Sequence, residues 1–97
     1  MRNSILKKYI ILNSNEKQYL YGKVYNDNRF PNGHLILTTK IIELNKEENF
    51  VITENKTKYK LEEKLSKEEF IQMIKEDYVD PVYIKFILTP LENINIV

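Results

Sequence analysis

The residues able to do chemistry are gathered in one run, Asn26-Asp27-Asn28-Arg29-Phe30-Pro31-Asn32-Gly33, followed directly by His34. Lysine outnumbers arginine thirteen to two, so an arginine at position 29 marks a place that uses a planar, bidentate donor instead of a point charge. Asp27, two residues earlier, is spaced to pair with it and fix its pose. Asn26, Asn28 and Asn32 add amide donors and acceptors, Phe30 and Tyr25 add rings, and Thr38 and Thr39 add hydroxyls nearby. Together these suit an anionic, ring-bearing ligand such as a nucleotide, with phosphate on Arg29 and a base stacked on an aromatic side chain. The same residues also fit a second reading. An Asp27–Arg29 pair, a buried Phe30 and a turn set by Pro31 would lock a long loop without binding anything.

Machinery for bond making is missing from the sequence. His34 is the only imidazole, and a hydrolytic triad needs a nucleophile, a base and an orienting group together. With no cysteine there is no thiol nucleophile, disulfide or zinc–thiolate site. No histidine pair and no spaced carboxylate cluster points to a metal, and two glycines are too few for a phosphate-cradling loop. The expectation is a binding protein without catalytic residues, cofactor or metal.

Around that run the patterning predicts a mainly β chain forming one domain over residues 1–97. Strands are predicted at 5–12, 18–25, 34–38, 40–44, 50–54 and 57–61, the third and fourth being two strands or one strand kinked at Thr38-Thr39. On 18–25, Leu20, Gly22 and Val24 share one face, while Tyr19, Tyr21, Lys23 and Tyr25 make a tyrosine stripe on the other. Such a stripe either sits under a neighbouring element or offers rings to a partner. Asn55-Lys56 marks a hairpin turn, with Val51, Tyr59 and Leu61 as core candidates. Lys56, Lys58 and Lys60 alternate, which reads as an edge strand kept soluble or as a phosphate track.

Ser66-Lys67-Glu68-Glu69 is a capping box, flanked by Leu65 and Phe70 as a hydrophobic staple. It predicts a helix over 67–78, with Phe70, Ile71, Met73, Ile74 and Tyr78 on one apolar face and a stop at Asp80-Pro81. A further strand is predicted at 82–88, and an alternating tail at 91–97 reads as an eighth short strand or an interface arm. The predicted fold is α+β and mainly β: a small curled antiparallel sheet or partial barrel with one capping helix.

A formal net charge of +1 argues against a protein that coats nucleic acid. Residues 1–64 carry twelve Lys/Arg against eight Asp/Glu, and residues 65–97 carry three against six, a basic body followed by an acidic part. Apolar runs are too short to span a bilayer and no signal-peptide pattern opens the chain, so a cytoplasmic, soluble protein is expected. A tyrosine face and an apolar tail favour a homo-oligomer.

The stretch 22–41, with Val51-Ile52-Thr53 and Tyr59-Lys60-Leu61, resembles a pattern in small bacterial and phage proteins. There Asn-Asp-x-Arg-Phe-x-x-Gly leads into Ile-x-Thr-Ser-x-Ile, then Val-x-Thr and Tyr-x-Leu. This chain departs from the pattern at Thr39, where serine is commoner, and near Asn55, where a glycine turn is usual. Such proteins look like phage counter-defence factors, some similar to sponges that sequester cyclic nucleotide signals of bacterial immunity, including the Thoeris signal. The resemblance implies capture of a cyclic nucleotide or ADP-ribose derivative by Arg29, Asn26, Asp27, Phe30, Tyr25, Thr38 and Thr39. Inhibition of a host defence complex through the tyrosine stripe or the acidic helix is a second expectation, and a small-barrel nucleic-acid binder a third.

Overall fold

A computed structural model describes residues 2–92 and 94–97. Among the described residues, seven strands and two helices run in the order β1 (Arg2–Ser14), β2 (Lys17–Tyr25), β3 (His34–Leu37), β4 (Ile41–Asn45), β5 (Phe50–Thr53), β6 (Thr57–Lys64), α1 (Lys67–Asp77), α2 (Pro81–Leu88), a 3-10 turn (Thr89–Leu91) and β7 (Asn95–Ile96). The sheet order is β3-β2-β1-β6-β5-β4, with β7 joining β1. The fold is therefore α+β and mainly β, as its patterning predicts. Two details differ from that expectation. β1 and β6 pair in parallel, so the sheet is mixed, and a second helix replaces the strand expected at 82–88.

The sheet curls without closing. β3 and β4 are its two ends, and residues 38–40 carry the chain from one to the other, a kink placed where the two threonines predict it. Thr38 holds this seam: its N–H donates to the Leu20 carbonyl at 2.9 Å, and its Oγ1 accepts from the Leu20 N–H at 3.0 Å. Inside the curl, Leu6, Tyr9, Ile11, Leu20, Val24, Ile36, Val51, Tyr59 and Leu61 form one core. On the other face, Ile10, Leu12 and Tyr21 form a second with Phe70, Met73, Ile74, Ile87 and Leu91 of the helical segment.

A bulge in β1 decides which of its residues face which core. Pairing of β1 with β2 slips between Lys7 and Ile10, and Lys8 takes a left-handed φ of 52°. The extra residue shifts the alternation, so Leu6, Tyr9 and Ile11 point into the curl and Ile10 and Leu12 point to the helices. Gly22 sits against this bulge; a Cβ there would lie 2.8 Å from Tyr9 Cβ and 2.9 Å from Tyr9 Cα. Close backbone approach, not turn geometry, explains this glycine.

The capping box forms as its spacing predicts: Ser66 Oγ accepts from the Glu69 N–H at 3.1 Å and Glu69 Oε1 accepts from the Ser66 N–H at 2.9 Å. α2 begins on Asp80, whose Oδ1 accepts from the Val82 N–H at 2.9 Å, with Pro81 as its first helical residue. An aspartate cap followed by proline is a helix start as well as a stop. That double meaning is why the strand expectation fails here. The tail forms the short β7, pairing Ile96 with Leu12 and Asn95 with Asn13. Lys23 and Asp77 form an ion pair joining the basic body to the acidic helix.

Candidate functional site

The loop of residues 26–33 is shaped by left-handed backbone at both ends, Asn26 with φ 58° and Gly33 with φ 86°. Asparagine and glycine are the residues that take this conformation at least cost. The Asn26 N–H donates to Asn32 Oδ1 at 2.9 Å, the Phe30 N–H to the Asp27 carbonyl at 3.2 Å, and the Gly33 N–H to the Val24 carbonyl at 2.8 Å. The loop is thus a built object, fastened to itself and to β2.

Asp27 is at its centre, with a fully buried side chain. Its Oδ1 accepts from the Arg29 N–H at 2.9 Å and from Arg29 Nε at 3.0 Å; its Oδ2 accepts from Arg29 Nη2 at 2.7 Å and from Ser4 Oγ at 2.8 Å. Arg29 Nη2 also donates to the Tyr59 hydroxyl at 3.3 Å, and the guanidinium lies 5.3 Å from the Phe30 ring centroid. The fork from Arg29, helped by the Arg29 amide and Ser4, holds the Asp27 carboxyl far below the usual carboxylate range against the opposing effect of burial. The same pairing drives Arg29 further up. With four hydrogen bonds accepted and its proton lost far into the acid range, Asp27 is not poised as a general base.

The Asp27–Arg29 pair expected from the spacing forms. Arg29 Nε and Nη2 are engaged by an internal carboxylate and a tyrosine hydroxyl, with the side chain 27% exposed. Phe30 is likewise occupied, half-buried against the inner core and stacked on His34 at 5.3 Å between centroids. Tyr25 lies under Gly33, with Lys7 Nζ 5.0 Å over its ring. Thr38 is buried in the seam and Thr39 is exposed beside it, at the far end of β3 from the loop. Neither threonine joins the loop residues.

Beside the clamp is an open cavity of about 680 Å3 lined by Asn3, Asn26, Asp27, Asn28 and Asn32. Of the seven residues expected to bind a ligand, Asn26 and Asp27 border it. Asn3 is new: the antiparallel β1–β2 pairing sets Ile5 opposite Tyr25, so the start of β1 runs on beside the loop that leaves β2. Among the described residues no group of three His, Cys, Asp or Glu side chains is arranged to hold a metal ion.

Comparison with protein-family models, curated proteins and solved structures finds no match to this chain. The other surfaces raised by the sequence are largely occupied. Tyr21 is buried under the helices, its hydroxyl donating to the Ile87 carbonyl at 2.8 Å, so the tyrosine stripe is mostly an internal packing face. β6 is an interior strand between β1 and β5, not an edge. Lys56 sits in the turn with φ 63°, and Lys58 lies 4.1 Å over the Phe50 ring. Among the described residues no helix is long and apolar enough to cross a membrane.

Proposed function

We propose that this chain is a non-catalytic binding protein that captures a small nucleotide-derived immune signal in the asparagine-lined cavity, as a phage-type anti-defence sponge would. One observation carries the reading: four asparagines converge on a rigid, charge-compensated floor at a cavity of about 680 Å3. That volume lies within the ~300–1,000 Å3 of small-molecule sites. Carboxamides supply paired donors and acceptors of the kind that read the edge of an adenine and bond ribose hydroxyls. The Asp27–Arg29 pair leaves the floor nearly neutral, so the site favours the base and sugar of a ligand over its phosphate. Sequestration breaks no bond, in keeping with an Asp27 whose lone pairs are already taken.

The test is a thermal-shift screen of purified protein against cyclic nucleotides and ADP-ribose-type ligands, followed by mass spectrometry of the recovered ligand. Stabilisation by at least one such ligand, returned chemically intact, is the expected result. Affinity should change only a few-fold between low and moderate salt, far less than the roughly thousand-fold or greater loss of a contact built on many phosphates. Absence of any shift across the panel, or recovery of a cleaved ligand, would overturn the reading.

A further inference from the structure

α2 is apolar on both sides. Ile84, Ile87 and Leu88 pack inward with Leu91, while Val82, Tyr83 and Phe86 face out, and Lys85 is the only charge in Pro81–Leu88. A helix apolar all round is normally enclosed all round. Here the outer side continues onto neighbouring surface: Val79 is 94% exposed, Val82 78%, Phe86 74%, Leu37 50% and Tyr83 48%. With ~150–250 Å2 for an aromatic side chain as the scale and somewhat less for Val and Leu, those fractions leave on the order of 600 Å2 exposed over these five residues, of which Tyr83, Phe86 and Leu37 adjoin one another. That is the upper end of what a monomer displays. It also approaches the ~800 Å2 that each partner contributes to a stable interface.

The patch has relief as well as area. Tyr83 and Phe86 stack at 6.4 Å to form a ridge. Next to the ridge is a cavity of about 320 Å3 lined by Tyr21, Leu35, Leu37, Phe86, Thr89 and Pro90. β3, which supplies Leu35 and Leu37, is a terminal strand of the sheet and pairs only with β2, so its outer edge also lies open. A ridge and a slot side by side on one face are what a two-fold interface needs, since each copy then offers its ridge to the other's slot.

We propose that this face is the two-fold interface of a homodimer, with α2 against α2, the Tyr83–Phe86 ridge of each copy meeting the slot between α2 and β3 of the other. With one lysine in the helix and a formal net charge of +1 on the whole chain, two copies meet with little repulsion. The interface expected from the tyrosine stripe and the tail thus moves to α2, because the stripe is covered and the tail is paired with β1. None of the cavity-lining asparagines takes part, so the dimer and the ligand site stand or fall separately.

Sedimentation velocity on the full chain, over concentrations from low micromolar to several hundred micromolar, tests the proposal. Wild type should reach twice the chain mass, and Phe86→Glu and Val82→Lys should each weaken the dimer at least tenfold. Both positions are exposed, so both variants should keep the wild-type circular dichroism spectrum and melting temperature when measured as dilute monomers. A wild type that stays monomeric throughout overturns the proposal, as does a dimer that survives both substitutions. A monomeric wild type that instead holds a different protein through this face also overturns the assignment to a second copy.

Discussion

Replacing Arg29 with alanine removes two charge-assisted hydrogen bonds from a carboxylate with no exposed side-chain surface. Asp27 then keeps only Ser4 Oγ and the backbone N–H of residue 29. Breaking a buried ion pair by deleting one partner costs about 3–5 kcal/mol. The Arg29 side chain is 27% exposed, so water can reach part of the vacated space, and the lower end, about 3 kcal/mol, is expected. For a domain of this size that lowers Tm by roughly 12–24 °C. Arg29→Lys keeps the charge but loses the fork, and should fall between wild type and Arg29→Ala. The pH dependence follows from the lowered carboxyl. Because Asp27 has a lower pKa folded than unfolded, the pair's contribution is complete above the ordinary carboxylate pKa of about 4 and fades as pH falls towards the folded value. Urea denaturation of wild type and variant across the acid range measures this directly. The stability gap should be constant from neutral pH to about pH 5 and should narrow towards pH 2. A gap below about 1 kcal/mol at neutral pH, or one that does not change with acid, would refute the assignment of Arg29 as an internal clamp.

Gly22→Ala should destabilise by about 1–3 kcal/mol in chemical denaturation, because the new methyl meets the Tyr9 backbone and side chain at the β1 bulge. Glu16 closes the β1–β2 turn with φ 66°, so Glu16→Gly should stabilise by about 0.5–1 kcal/mol in the same assay. Tyr21→Phe removes the hydrogen bond to the Ile87 carbonyl and should cost about 1 kcal/mol at neutral pH. Burial first, then Tyr78 and Tyr83, push the Tyr21 hydroxyl up to about 12. A raised folded value means its contribution is lost as pH climbs from about 10 through 12, so Tyr21→Phe should flatten the alkaline limb of the stability–pH profile.

Strand positions, the hairpin at Asn55, the capping box and the kink at Thr38-Thr39 were legible because each rests on local chemistry: alternation, turn residues, caps. The parallel pairing of β1 with β6 was not, since nothing in either strand states which distant strand it joins. α2 was missed for a different reason. Its Ile, Val, Phe and Tyr content has strand propensity, and the Asp80-Pro81 cap outweighs it only when read forwards as well as backwards. At the candidate site, the sequence marked the loop and the Asp27–Arg29 pair that forms within it. It left open whether Asp27 and Arg29 serve each other or a ligand, and only the third and fourth partners, Ser4 and Tyr59, decide that. Both come from other strands, so no local spacing could have named them. Three of the four cavity asparagines, Asn26, Asn28 and Asn32, lie in the loop that the sequence marks, and the fourth, Asn3, comes from β1.

The most direct test of the asparagine cavity is a titration of isotope-labelled protein with the strongest binder from the nucleotide panel, following side-chain carboxamide signals by heteronuclear NMR. The signals of Asn3, Asn26, Asn28 and Asn32 should move together and saturate, while those of Asn45 and Asn55, outside the cavity, should stay in place. Carboxamide signals of the cavity that remain unmoved at saturating ligand, with shifts appearing elsewhere on the chain, would contradict the cavity as the binding site.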